Sequence, residues 1–208
     1  MNTKAFNIVL LSASLSLLAS CGLKDGATAK GDPSAVRSRQ RVTTMPVGKL
    51  DTSPIGGWWV GNCTPGTGDN AGMSMKTEMR IYVDQTVVEQ HLYISDTTCS
   101  SEIASVVAVL SSKPHLVSGN QYQMNASDDN LTDMIEIIHN TASIAGMNAT
   151  SECGISDWRI EEPRSIKGSS CMSATPSGSV LNIQLDPSGQ TMQAKVSPGE
   201  DLGIFKKK

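Results

Sequence analysis

Met73-Ser74-Met75-Lys76-Thr77-Glu78-Met79-Arg80-Ile81-Tyr82-Val83 is the stretch that decides the fold. Met73, Met75, Thr77, Met79, Ile81 and Val83 fall on one side of a two-residue repeat, and Ser74, Lys76, Glu78, Arg80 and Tyr82 fall on the other. Successive side chains of a strand point to opposite faces, so this is a strand with one buried face. Asp84-Gln85 supplies a turn. Val88, Gln90, Leu92 and Ile94 then alternate with Glu89, His91, Tyr93 and Ser95, which predicts a hairpin.

The repeat returns near the other end of the chain. Leu181, Ile183 and Leu185 alternate with Asn182, Gln184 and Asp186, and Asp186-Pro187-Ser188-Gly189 has turn composition. Met192, Ala194 and Val196 then alternate with Thr191, Gln193 and Lys195, predicting a second hairpin. Between the hairpins, residues 103–110 are apolar on both faces and read as a central strand or a short buried helix, stopped by Lys113-Pro114. Residues 121–125 read as a strand, and 131–139 as a strand or a helix. Residues 158–160 and 164–167 are short strand candidates, and Gly56 to Gly61 opens the domain. The expectation is all-β: about eight to ten short antiparallel strands over residues 55–208, contiguous and without a crossover, as in an up-and-down barrel.

Upstream of that domain the chain reads as an address. Residues 1–20 carry Lys4, an apolar stretch from Phe6 to Leu18 and then small residues, the layout of a secretory signal peptide. The stretch is short of the roughly 20 residues a spanning helix needs. Leu18-Ala19-Ser20-Cys21 resembles the lipobox of bacterial lipoproteins, which implies that Cys21 becomes the lipidated first residue of the mature chain. Gly22 at the next position implies delivery to the outer membrane. Several acyl chains on one residue would hold the protein at a membrane. Residues 21–54 have no apolar periodicity and are rich in Gly, Ser, Thr, Ala and Pro, so they read as a disordered tether. Arg37, Arg39 and Arg41 make it basic.

Composition narrows the function. With 17 Lys+Arg against 20 Asp+Glu, the net charge is −3, and the acid excess falls in residues 55–208. Nucleic-acid binding, which needs a concentrated basic surface, is therefore not expected. Five cysteines minus Cys21 leave Cys63, Cys99, Cys153 and Cys171, an even number in an oxidising compartment. Zinc sites usually bring close C-x₂₋₄-C pairs, whereas the gaps here are 36, 54 and 18, so two disulfides are expected. Three pairings are possible.

No enzyme emerges. His91, His115 and His139 lack metal-ligand spacing and read as surface or rim residues, and Ser74 sits in Gly72-Met73-Ser74-Met75, which fails the nucleophile-elbow pattern. There is no phosphate-binding glycine loop, and neither a metal nor a cofactor is expected. The methionine stripe Met73, Met75, Met79 reads first as core filling in a domain short of Phe, then as the wall of an apolar ligand cavity, and last as a soft Cu(I) site.

Gly56-Gly57-Trp58 matches the G-x-W that opens lipocalin-type barrels. With Cys63, Asp96-Thr97-Thr98-Cys99, Cys153-Gly154-Ile155-Ser156-Asp157-Trp158 and Gly168-Ser169-Ser170-Cys171, the domain resembles a group of small, uncharacterised lipocalin-like envelope lipoproteins. The resemblance implies an antiparallel lipocalin-like barrel, Trp58 at its closed end, and the pairings Cys63–Cys99 and Cys153–Cys171. It brings no activity. Two non-catalytic functions follow as expectations. One is a carrier of a small apolar ligand in a cavity lined by Trp58, Met75, Met79, Ile183 and Met192. The other is an inhibitor or accessory of an envelope hydrolase acting through the barrel exterior, and a side-chain-filled interior would favour it.

Overall fold

The computed structural model describes residues 48–66, 72–94, 98–172, 177–198 and 200–208. The leader, Cys21 and the tether up to residue 47 lie outside the described residues. The elements are β1 (Gly57–Gly61), β2 (Thr64–Pro65), β3 (Met73–Ile81), β4 (Thr86–Ile94), β5 (Glu102–Leu110), β6 (His115–Ser118), β7 (Gln121–Asn125), β8 (Leu131–Ile138), α1 (Thr141–Thr150), β9 (Arg164–Ser165), β10 (Val180–Leu185), β11 (Thr191–Ser197) and β12 (Glu200–Lys207). Among the described residues no helix is long and apolar enough to cross a membrane.

The protein is antiparallel and β-rich, built as one sheet in the order β6-β7-β10-β11-β12-β1-β3-β4-β5-β8-β9, with β2 added to β3. The two hairpins legible in the sequence are both present. β3 and β4 pair with Met79 opposite Val88 and Glu78 opposite Glu89, and Tyr82 N–H donates to Gln85 O in the turn between them. β10 and β11 pair Ile183 with Ala194 and Leu185 with Met192. In their turn Asp186 accepts backbone N–H groups of Ser188, Gln190 and Thr191, the Asx geometry that makes Asp a turn residue.

The sheet departs from a simple up-and-down order, because its hydrogen-bonded path has two ends, β6 and β9, and is not closed. After β5 the chain leaves through Ser111 to Pro114 to form the β6–β7 arm, and β8 returns to pair with β5. β7 pairs instead with β10. Residues 103–110 are a strand and not a helix: β5 is buried along nearly its whole length, and its Val and Ile residues suit a strand covered on both faces.

Three further readings change. Residues 158–160 are not a strand, because the Asn148 side chain occupies the Trp158 backbone, accepting from its N–H at 2.6 Å and donating to its carbonyl at 3.1 Å. Residues 141–150 are a helix that no apolar stripe announces; Asn140 caps it by accepting from Ala142 N–H. Residues 48–51, grouped with the tether by composition, are pinned to the sheet. Leu50 bridges Tyr82 and Asp51 N–H donates to Ile81 O.

One core cluster gathers side chains from β1, β3, β4, β5, β7, β8, β10, β11 and β12. A smaller one, Tyr82, Val87, Val107 and Val109 with Ile135 against it, lies on the opposite face of β3, β4, β5 and β8. That face was expected to meet solvent along β3, yet Ser74, Glu78 and Tyr82 are all buried. The disulfides are Cys63–Cys99 and Cys153–Cys171. Each closes a sequential loop and restricts the unfolded chain.

Candidate functional site

The interior comes first, because an apolar ligand was expected there. Met79, Ile183 and Met192 are 0–2% exposed and pack in one cluster with Trp59, Phe205, Met124 and Met134. A side chain bordering a water-sized void keeps exposed surface, and these keep almost none. Met75 is partly buried against the same cluster and accepts from Gln90 Nε2 through its sulfur at 3.4 Å. Of the methionine stripe, Met79 is buried in the core and Met73 and Met75 are partly buried against it.

Trp58 does not join them. Trp59 is the tryptophan that enters the core: it is 0% exposed and its Nε1–H donates to Ile55 O at 2.8 Å. The two glycines before the pair have different reasons. A Cβ on Gly56 would come within 2.1 Å of Asp51 O, and Gly57 has φ +107°, a left-handed conformation that favours glycine. Trp58 lies on the opposite face, donating Nε1–H to Glu78 Oε2 at 2.9 Å beneath Arg80 and Lys208, which stack on its ring at 4.7 and 3.5 Å.

That opposite face carries a buried charged network. Glu78 and Arg80 come from β3, Glu89 and His91 from β4, Glu102 and Ser105 from β5. Arg80 Nη2 meets Glu78 Oε2 at 3.3 Å and Glu89 Oε2 at 3.1 Å. His91 Nδ1 is 2.7 Å from Glu102 Oε1, while its Nε2 is 3.9 Å from Glu78 Oε1 and 3.8 Å from Glu89 Oε1. His139 bridges Glu102 Oε1 at 3.3 Å, Ser105 Oγ at 3.1 Å and Glu161 Oε2 at 2.8 Å. His91 is 1% exposed, so it is not the surface residue its isolated position suggested. The signal was present in the hairpin register, which sets two carboxylates, Glu78 and Glu89, directly opposite each other. Like charges so placed destabilise a sheet unless a cation lies between them.

A second acidic pair sits in the main core. Glu136 shares the buried face of β8 with Met134 and Ile138, its Oε2 3.9 Å from Cys153 Sγ, and Glu152 follows α1; both are under 5% exposed. Glu152 Oε1 has no hydrogen-bond partner among the described residues. Burial, and then the charge of Glu152, push Glu136 up to about 7; burial also raises Glu152.

The sign of the resulting pH dependence follows. An unfolded Glu ionises near 4.5, so between there and about 7 the folded state holds a proton the unfolded chain has released. Stability therefore falls as pH rises through that window, Glu136 contributing at most ~1.4 kcal/mol per unit. His139 adds to the fall at higher pH. Burial works against its charged form, but Glu102 and Glu161 raise it above 6.5 overall. Glu102 acts at the other end: burial raises it, His139 and His91 together bring it to about 2, and its contribution is lost as pH drops below 4.5. Thermal melts should show highest stability in mild acid, and Glu136→Gln should flatten the slope between pH 5 and 7. Parallel wild-type and variant curves would remove Glu136 as the cause.

On the outside, β6 ends the sheet with Leu116 58% and Val117 51% exposed. Beside it a shallow groove of about 190 Å³ runs between Val117, Gln123, Asn182, Gln184 and Lys195. Comparison with known proteins adds no identity to this geometry: no family model matches the chain, and no curated protein matches it.

Proposed function

We propose that the chain is a lipid-anchored protein of a bacterial envelope, held at the outer membrane through Cys21, and that it binds an envelope protein on the outside of a lipocalin-like barrel without catalysing a reaction. The buried interior carries this reading: three of the residues that would have lined a ligand cavity, Met79, Ile183 and Met192, are 0–2% exposed in one core cluster with Trp59 and Phe205. An apolar ligand needs a concave site of several hundred Å³, whereas an exterior binder needs none. The anchor rests on Leu18-Ala19-Ser20-Cys21 following an apolar leader.

Two observations support the barrel. β1 and β12 pair, joining the first and last strands of the sheet sequence. The loop after β5 also reaches β7, where Ser112 Oγ donates to Asn125 O at 3.3 Å. Met124 of β7 and Met134 of β8 belong to one core cluster.

Mass spectrometry of the protein extracted from its own membranes tests the reading at two levels. The denatured mass is expected to begin at Cys21 with attached acyl chains. The native mass is expected to show no small apolar ligand, and cross-linking on intact cells is expected to yield one discrete envelope protein. A non-covalent apolar mass lost on denaturation would make the protein a carrier and overturn the exterior reading. A mature chain with unmodified Cys21 would remove the anchor.

A further inference from the structure

We infer that the Cys153–Cys171 disulfide is a site of thiol–disulfide exchange, opened by a dithiol reductant, and that Glu136 is the acid that protonates the sulfur of Cys153 as it leaves. Glu136 Oε2 lies 3.9 Å from Cys153 Sγ, with Glu136 3% and both cysteines 8% exposed. Catalytic hydrogen bonds are commonly long until the reacting complex forms, and here the S–S bond itself holds the sulfur back. The exchange consumes one reductant per chain and does not depend on what the outside of the domain binds.

A disulfide that only closes a loop has no use for a carboxyl group at its sulfur, and burying one is costly unless it is paired. The neighbours of Glu136 do not neutralise it. Arg164 stands opposite in the β8–β9 register, yet its Nη2 goes to Asp157 Oδ2 at 2.9 Å and Glu162 Oε1 at 3.0 Å. On the other side β5 sets Val106 opposite, which does not ionise. From the segment after α1 comes a like charge, Glu152, whose own Oε1 is buried without a partner among the described residues. Burial and then Glu152 push Glu136 up to about 7, so it still holds a proton near neutrality, as a general acid must. The backbone at the sulfur is strained as well. Ser151 and Cys153 have φ of +51° and +56°, left-handed values that are uncommon outside glycine and gather at functional sites.

Cys171 is the sulfur a reductant meets first. It sits in a surface turn in which Ser169 N–H donates to Ile166 O and Met172 N–H to Ser169 O, with Lys167, Gly168 and Ser170 exposed beside it. One thiolate of the dithiol attacks Cys171 Sγ, since the thiolate is the nucleophile. The Cys153–Cys171 bond breaks, and Cys153 leaves with its electron pair and takes the proton of Glu136. The second thiol of the reductant then attacks the reductant's own sulfur in the mixed disulfide and releases Cys171, which is protonated from solvent. Glu136 regains its proton the same way, and the two thiol protons of the reductant replace those drawn from solvent. The reductant ends as a disulfide, and the protein gains two electrons and two thiols.

The test follows both disulfides of the folded full chain in dithiothreitol, with new thiols trapped by alkylation and located by peptide mass mapping. The opening rate of Cys153–Cys171, divided by the concentration of dithiothreitol thiolate, is expected to fall about tenfold between pH 6 and 8 as Glu136 loses its proton. Cys63–Cys99 in the same samples is expected to show no such fall. The direction is diagnostic, because a bond opened only by unfolding would open faster as stability drops with rising pH. Glu136→Gln should slow the opening at pH 6 by on the order of 100-fold and remove the fall. If that variant does not fold, the wild-type profile against Cys63–Cys99 decides. A flat wild-type profile overturns the inference, as does an opening rate independent of dithiothreitol concentration, or a folded Glu136→Gln that keeps the wild-type profile.

Discussion

Ending the chain at Pro198 is expected to abolish the folded domain. The removed segment carries β12, which lies in the middle of the sheet, between β11 and β1. Its loss strips the partners from Trp59, Val60 and Gly61 on one side and from residues 191–196 on the other. It also removes Phe205, which is 0% exposed in the core. Phe→Ala alone costs about 3–5 kcal/mol in a packed interior, comparable with the whole stability of many domains, and two ladders of hydrogen bonds go with it. The expected far-ultraviolet circular dichroism is that of an unfolded or aggregated chain. A cooperative melt from the truncated protein would show that β12 is dispensable.

The paired tryptophans give the second large effect, and an unequal one. Trp59→Ala should destabilise the domain by about 3–5 kcal/mol, since it opens a cavity between β1, β3 and β12 and leaves the Ile55 carbonyl without its donor. Trp58→Ala removes one hydrogen bond to Glu78 and the ring faces used by Arg80 and Lys208, an interface effect of about 1–2 kcal/mol. Denaturant melts of the two variants separate them directly. Equal losses would mean that the ring of Trp58 also supports the core.

The difference between these neighbours shows where the sequence was legible. The hairpins of β3–β4 and β10–β11 could be read with their faces, because period-two alternation is local and each turn carries its own chemistry. The motif Gly56-Gly57-Trp58 located the start of β1, but facing depends on the partner strand, and one residue of shift turns every side chain over. β12 escaped notice because Asp201, Gly203 and the terminal lysines break the alternation, and a bulge opposite Ala194–Lys195 absorbs the irregularity. Met75 and Met79 were correctly placed on the inner face, but whether that face encloses space depends on volumes contributed by strands distant in sequence. The charged network was hidden for a related reason. Glu78, Glu89 and His91 have unremarkable spacing along the chain and meet only when β3 and β4 register. Glu102, His139 and Glu161 arrive from three further segments.

The pairing of β1 with β12 also bears on the order in which the chain acquires its structure. Trp59 waits for Lys207, so one of the central seams of the sheet joins residues from opposite ends of the domain. Loop-closure entropy must be met before such a contact gives anything back, and proteins dominated by distant pairings fold slowly. The β3–β4 hairpin forms from neighbours and the Cys153–Cys171 loop is short, so these are the early units. Until β12 docks, β1 exposes an unpaired edge bearing Trp59 beside a half-assembled core, the kind of surface that draws aggregation. Assembly of this domain is therefore limited by its last strand.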